Sequence, residues 1–284
     1  MVRRALCALW LPAVLLAAGP ARIVSTSPSI TEMLYAMGLG NRVVGVTTFC
    51  HYPPEAARKP KIGNYLQPNM ETIVALRPDL VIAEVTGVRQ GGKFAAHRLN
   101  VVEVDDGTIA GIYDSIGRIG KAAGAQGAAS ALSGRIRGSL AEVRQRTAKL
   151  PPRRMVFVVG RSPGRLEELV VAGKGSYLEE VMTLAGGRNI FGDTLGQYSK
   201  VTLEELLARN PEVIVDMGEM AQTVGVTEQA KRAVVVLWGR YPSLAAVKQR
   251  RVFAVASDIF VVPGPRVVDA AREFARMLHP EAGF

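Results

Sequence analysis

Two tyrosines and two glutamates recur in this chain as matched pairs. Tyr65 stands six residues before Glu71, and Tyr198 six residues before Glu204. They lie in the stretches GNYLQPNMETIVALRPDLVIA (63–83) and GQYSKVTLEELLARNPEVIVD (196–216), offset by 133 positions, with Gly63 and Gly196, and Pro78 and Pro211, in the same order. Tyrosine brings a large flat apolar ring with a polar tip, suited to gripping a broad ligand. Each Glu follows a residue type that caps helix N-termini, Asn69 or Thr202. A carboxylate in that first turn complements the helix dipole by about 0.3–1 kcal/mol, which accounts for one such Glu by itself. Its recurrence, with an upstream Tyr that no helix requires, points further. If two lobes face each other across a cleft, the rings flank a ligand, and the two outward charges suit a partner of two-fold symmetry.

Other chemistry-bearing residues are sparse. Cys50-His51 invites a metal or nucleophile reading, against that of a small buried thiol beside a loop histidine. Two Cys, one of them in the N-terminal apolar run, and three scattered His are too few for a dedicated zinc cage, although Cys50 or His51 could reach the metal of a bound cofactor. AGKGS (172–176) lacks the earlier Gly of a phosphate loop. VVGRSPG (158–164) is not a dinucleotide fingerprint. PGPR (263–266) reads as a rigid turn at a cleft edge or as a helix start. No Ser/His/Asp set, catalytic carboxylate pair or metal motif stands out, so an enzyme is expected only by analogy with other α/β folds.

The elements that must position these residues alternate. RIVSTSPS reads as a strand and SITEMLYAMGLG as a helix with a Ser29–Glu32 capping box closed by glycines. NRVVGVT, the run ending LVIA and LNVVEVDD are further strands, so α/β layers with a mainly parallel sheet are expected. From about Thr108 to Leu150 no strand pattern occurs, and one or two helices stop at Pro151-Pro152. RRMVFVVG then restarts the pattern, with Ser176–Glu179 matching Ser29–Glu32 at an offset of 147. The first half therefore carries about 14 extra residues around TTFCHYPPEAARKP. A last helix is expected from about Val267 to Leu278.

The chain has 284 residues, 48% of them hydrophobic, enough for two lobes with proper cores. Its net charge of +10 raises the question of polyanions, but the basic residues are scattered and no nucleic-acid motif accompanies them. Arg3-Arg4, an apolar run from Ala5 to Ala18 and Gly19-Pro20-Ala21 follow the order of a secretory signal peptide. The domain expectation is a signal at 1–21, an N-terminal lobe at 22–107, a helical segment at 108–150 and a C-terminal lobe at 151–284. Loss of the signal would leave Cys50 as the sole cysteine.

Several segments carry a resemblance over nearly the whole mature chain: RIVSTSPSITEMLYAMGLGNRVVGV, YPPEA, NMETIVALRPDLVIA, GKGSYLEEVMTLAGGRNIF, VTLEELLARNPEVIV and SDIFVVPGPR. The chain resembles the long-helix substrate-binding proteins of ATP-binding-cassette importers for cobalamin, iron–siderophore and haem. The resemblance implies two α/β lobes joined by a long helix, a ligand between them, no catalytic cofactor, and an exported, periplasmic, monomeric protein. It also implies docking of Glu71 and Glu204 on a dimeric permease. The pattern is most similar to cobalamin binders, whose corrin-flanking aromatics fall at Phe49, Tyr65 and Tyr198. Two of their cleft tryptophans fall at Glu84 and about Ile259. Cys50, His51, Phe260 and Arg266 are further ligand candidates. A cobalamin or related corrinoid ligand is expected, with ferric siderophore or haem as the alternative.

Overall fold

Each half of the chain contains four parallel strands in the same order, alone in the first half and within a six-stranded sheet in the second. The computed structural model describes residues 19–64, 66–85, 91–194, 196–218 and 226–284. The N-terminal lobe comprises β1 (Ile23–Ser25), α1 (Pro28–Ala36), β2 (Val43–Gly45), α2 (Pro54–Ala57), α3 (Met70–Ala75), β3 (Leu80–Glu84), α4 (Gly91–Ala96) and β4 (Val101–Val104). Its strands run β2-β1-β3-β4, all parallel. Two helices follow, α5 (Ile109–Ala122) and α6 (Gln126–Thr147). The C-terminal lobe holds β5 (Arg153–Gly160), β6 (Leu169–Ala172), α7 (Tyr177–Leu184), β7 (Gly187–Asn189), β8 (Tyr198–Val201), α8 (Leu203–Arg209) and β9 (Val213–Asp216). It ends with α9 (Glu228–Gly239), α10 (Ala245–Lys248), β10 (Val252–Ala254) and α11 (Val267–Leu278). Here β7-β5-β9-β10 repeat the N-terminal order, again all parallel. Two strands break the likeness: β6 runs antiparallel to β5, and β8 antiparallel to β6.

Local chemistry sets the helix starts. The Asn69 side chain accepts from Thr72 N at 2.9 Å, and Thr202 from Glu205 N at 3.1 Å, so both expected caps form. Ser176 caps α7 through Glu179 N at 3.1 Å, and the Glu179 carboxylate accepts from Gly175 N at 2.7 Å. The expected Ser29–Glu32 box does not form. Pro28 takes the first helical position, where its missing N–H costs nothing, and Ser27 becomes the cap. Ser29 and Glu32 are thereby turned into buried helix residues.

The helical segment between the lobes is two helices rather than one. They part at Gly124, whose φ of +65° favours glycine. At 22 residues α6 extends about 33 Å. It crosses α5 closely at Gly120, where an added Cβ would lie 2.4 Å from that of Ala129. Buried residues at helical spacing, Leu132, Ile136, Leu140 and Val143, give α6 its apolar stripe. One continuous core results. It runs from Ile23, Met33 and Ile82 of the first lobe through Ile116 and Ile136 to Phe157, Val181 and Phe274 of the second. The C-terminal helix occupies the expected residues. Among the described residues no helix is long and apolar enough to cross a membrane. The apolar run of the expected signal lies outside them.

Candidate ligand site between the lobes

Open parallel sheets bind ligands at the carboxyl ends of their strands. In the N-terminal lobe those ends present Thr26 and Ser27 after β1, Glu84 at the close of β3, and Asp105 and Asp106 after β4. Register brings two of them to one region of the sheet end: Glu84 pairs with Val104, two residues before Asp106. The Glu84 N–H donates to Thr26 Oγ1 at 3.2 Å, and the Ser27 and Ser29 hydroxyls lie 2.8 Å apart. Asp106 is only 2% exposed, and its Oδ2 has no hydrogen-bond partner.

The second lobe closes on this acidic end. The Ile109 N–H, at the start of α5, donates to the Glu180 carboxylate of α7 at 2.7 Å. Gln197 lies over Gly107, its Nε2 3.6 Å from where a Cβ would stand. Tyr198 follows in β8 with its residue surface 45% exposed. Its phenol is nonetheless pushed up to about 12, first by burial and then by the charges of Asp106 and Glu84. Those facts fit a ring with one open edge, flanked by protein and facing the two acids.

Burial dominates the titration of the acids. It pushes Asp106 up to about 8, with the Glu84 charge adding to the rise. Glu84 is raised by the same cause, offset in part by the Ser27 hydroxyl. Two like charges this close resist joint ionisation, so the pair retains a proton near neutrality.

A second junction lies nearby. Arg266 Nε donates to Glu32 Oε2 at 2.9 Å and its NH1 to Asp258 Oδ1 at 2.9 Å, bridging α1 to the C-terminal lobe. The guanidinium stacks 4.1 Å from the Tyr52 ring centroid. Burial still pushes Glu32 up to about 7 against the pull of Arg266. Gly264 of the PGPR turn packs on α1, where a Cβ would come 3.6 Å from Ser29 Cα. At the strand ends of the C-terminal lobe a groove of about 490 Å³ is lined by Met217, Val234, Leu237 and Val255, with Arg161 and Arg240 among its basic residues.

The sequence-based candidates separate on this geometry. Tyr198 faces the seam. Phe49 and His51 are exposed in the segment after β2, and Phe49 is 45% accessible. Tyr65 lies outside the described residues. Three assignments change. Cys50 is wholly buried, its thiol 3.2 Å from Thr31 Oγ1 and 3.1 Å from Thr47 Oγ1, and burial pushes it up, so it is a core residue of the first lobe. Phe260 is 2% exposed and packs 5.6 Å from Phe157 and 5.1 Å from Phe274 between ring centroids. Its carbonyl accepts from the Tyr177 hydroxyl. Arg266 is held by two carboxylates and a ring, so it joins the lobes instead of standing free for an anionic ligand. Among the described residues no group of three metal-ligating side chains occurs. Glu71 and Glu204 are both exposed, one on each lobe, in the first turns of α3 and α8.

Sequence reasoning missed the Asp106 side of the acid pair and saw Glu84 only as a departure. The available signal was position: each ends or follows a strand, LVIAE or VVEVDD, in a parallel sheet.

Comparison with known proteins decides the class. The model of a family described as periplasmic binding protein matches residues 23–259. The chain belongs to this family. A vitamin B12-binding protein of Salmonella typhimurium (strain LT2) is 30% identical over 278 residues, covering 97% of this chain and 96% of its own. The crystal structure of the periplasmic vitamin B12-binding protein of Vibrio cholerae superposes with a TM-score of 0.78 at 27% identity, over 93% of this chain and 99% of that one. The periplasmic heme-binding protein of Roseiflexus sp. RS-1, at 24% identity and a TM-score of 0.77 over 93% and 100% of the two chains, shares the fold. The binding protein is thus a solute carrier of the ABC-importer type and not an enzyme.

Proposed function

We propose that this binding protein captures a corrinoid, cobalamin or a close relative, and hands it to a dimeric ABC permease. The reading is carried by the near-full-length likeness to vitamin B12-binding proteins. A seam lined by an open tyrosine and hydrogen-bonding acids supports it. Tyr198, Tyr65 and Phe49 contact the macrocycle, and His51 lies at the rim. Glu71 and Glu204, one per lobe, dock on the two permease subunits. Residues 1–21 direct export, and the protein works outside the cytoplasmic membrane as a single copy.

Thermal unfolding with cyanocobalamin, haemin and a ferric hydroxamate tests the ligand. A ligand at a hundredfold excess over its Kd stabilises the folded state by about 2.7 kcal/mol. Cyanocobalamin should do so, and the other two should not. Stabilisation by haemin or the hydroxamate with none by cyanocobalamin would overturn the corrinoid assignment.

A further inference from the structure

The acid pair on β3 and β4 is more specific than its charge suggests. Buried polar atoms in folded proteins are paired in roughly nine cases out of ten. Asp106 Oδ2 is an exception, buried just past the carboxyl end of β4 without a partner, although the Ser29 hydroxyl bonds the same carboxylate. Glu84 pairs with Val104, two residues before Asp106, and its charge acts on the Asp106 carboxyl. The surrounding groups are hydroxyls and acids: Ser27, Ser29, Asp105, Glu32, Tyr177 and Tyr198. The guanidinium of Arg266 is already engaged by Glu32 and Asp258. Among the described residues no cation acts on the pair, and two carboxyls whose charges oppose each other favour holding one proton between them.

We propose that Glu84 and Asp106 read a primary carboxamide of the bound ligand, accepting its N–H on one carboxylate oxygen and donating a carboxyl O–H to its C=O. This rests on the corrinoid reading and refines it. A carboxylic acid beside a carboxylate offers one donor and several acceptors at a single place. A primary amide is the complement, with two N–H donors and a carbonyl acceptor on one planar group. Corrinoids carry primary carboxamides around the macrocycle. A ligand carboxylate has acceptors only and brings a further negative charge to two acids. Haem, with propionates on its edge, meets repulsion where a corrinoid meets hydrogen bonds. The orphan Oδ2 of Asp106 is the atom that the amide N–H satisfies.

The test compares cyanocobalamin with its separated monocarboxylic acids, in each of which one peripheral carboxamide is hydrolysed to a carboxylate. Calorimetric titration at pH 7.5 should show at least one of these acids binding the wild-type protein ten-fold or more weakly than cyanocobalamin. Glu84→Gln and Glu84→Gln/Asp106→Asn should shrink that ratio to about three or less. Glu84→Gln, at the partly exposed end of β3, keeps the test open if the double variant does not fold, and the wild-type panel needs no variant. Equal binding of cyanocobalamin and every acid by wild type would overturn the proposal and leave the corrinoid reading standing. The same holds if Glu84→Gln folds and keeps the full discrimination. Absence of cyanocobalamin binding to wild type would instead bring down the corrinoid reading, and the proposal with it.

Discussion

Replacing Asp106 by Asn should change how the ligand-free protein's stability depends on pH. The Asp106 carboxyl moves from 3.8 to about 8 on folding, because burial beside Glu84 penalises its charge. The folded state therefore holds a proton that the unfolded chain releases. That contribution is fully present below about pH 4 and is lost as pH rises through about 8. Linkage sets the slope at about 1.4 kcal/mol per pH unit while one proton separates the two states. A shift of roughly four units gives a ceiling of about 5–6 kcal/mol, and sharing of the proton with Glu84 brings the expected loss between pH 5 and 8 to about 2–4 kcal/mol. Asn keeps the shape and cannot titrate. Urea unfolding at pH 5, 6, 7 and 8 should show a wild-type curve that declines and an Asp106→Asn curve that is flatter and lies above it at pH 8. Glu32, raised to about 7 by burial, adds a similar decline between about pH 4.5 and 7. It does so in both proteins and drops out of their difference. Parallel curves for the two proteins would refute the placement of a retained proton at Asp106.

Further outcomes are expected at other sites. Arg266→Ala leaves Glu32 buried without its partner and should cost about 2–4 kcal/mol in urea unfolding at pH 7, the low side of a broken buried ion pair because Glu32 can take up a proton. Tyr198→Ala should weaken cyanocobalamin binding by about 1–3 kcal/mol, roughly ten- to a hundredfold in Kd by titration, from lost aromatic contact. An unchanged Kd would remove that ring from the site. Glu71→Ala with Glu204→Ala should leave the Kd within about twofold and abolish uptake in vesicles carrying the permease, because both carboxylates stand on exposed first turns. Lost cyanocobalamin binding with intact docking on the permease would reverse their assigned role.

The alternation of strands and helices, the caps at Asn69, Thr202 and Ser176 and the final helix were legible because each depends on neighbours within a few residues. The start of α1 was misread because Ser29 and Glu32 match a capping spacing, while Pro28 moves the cap to Ser27. The repeat hid the antiparallel β6 and β8, since Tyr198 keeps the spacing of Tyr65 but sits in a strand paired to Ala172. Cys50 and Phe260 carry residue types that suit a ligand, and only tertiary packing sends them into the core. The acid pair was illegible for a related reason. Glu84 and Asp106 are 22 positions apart, and they become neighbours through the sheet order.

The apolar interior that runs unbroken from one half to the other limits how release can occur. Swinging the halves wide apart would wet Tyr177, Phe260 and the inner faces of α5 and α7, at a cost comparable to partial unfolding. On the corrinoid reading, capture then asks for local movement at the seam, enough to uncover the buried Asp106 carboxylate. Letting go, on the proposed docking of Glu71 and Glu204, then falls to an outside lever that strains the frame by small displacements.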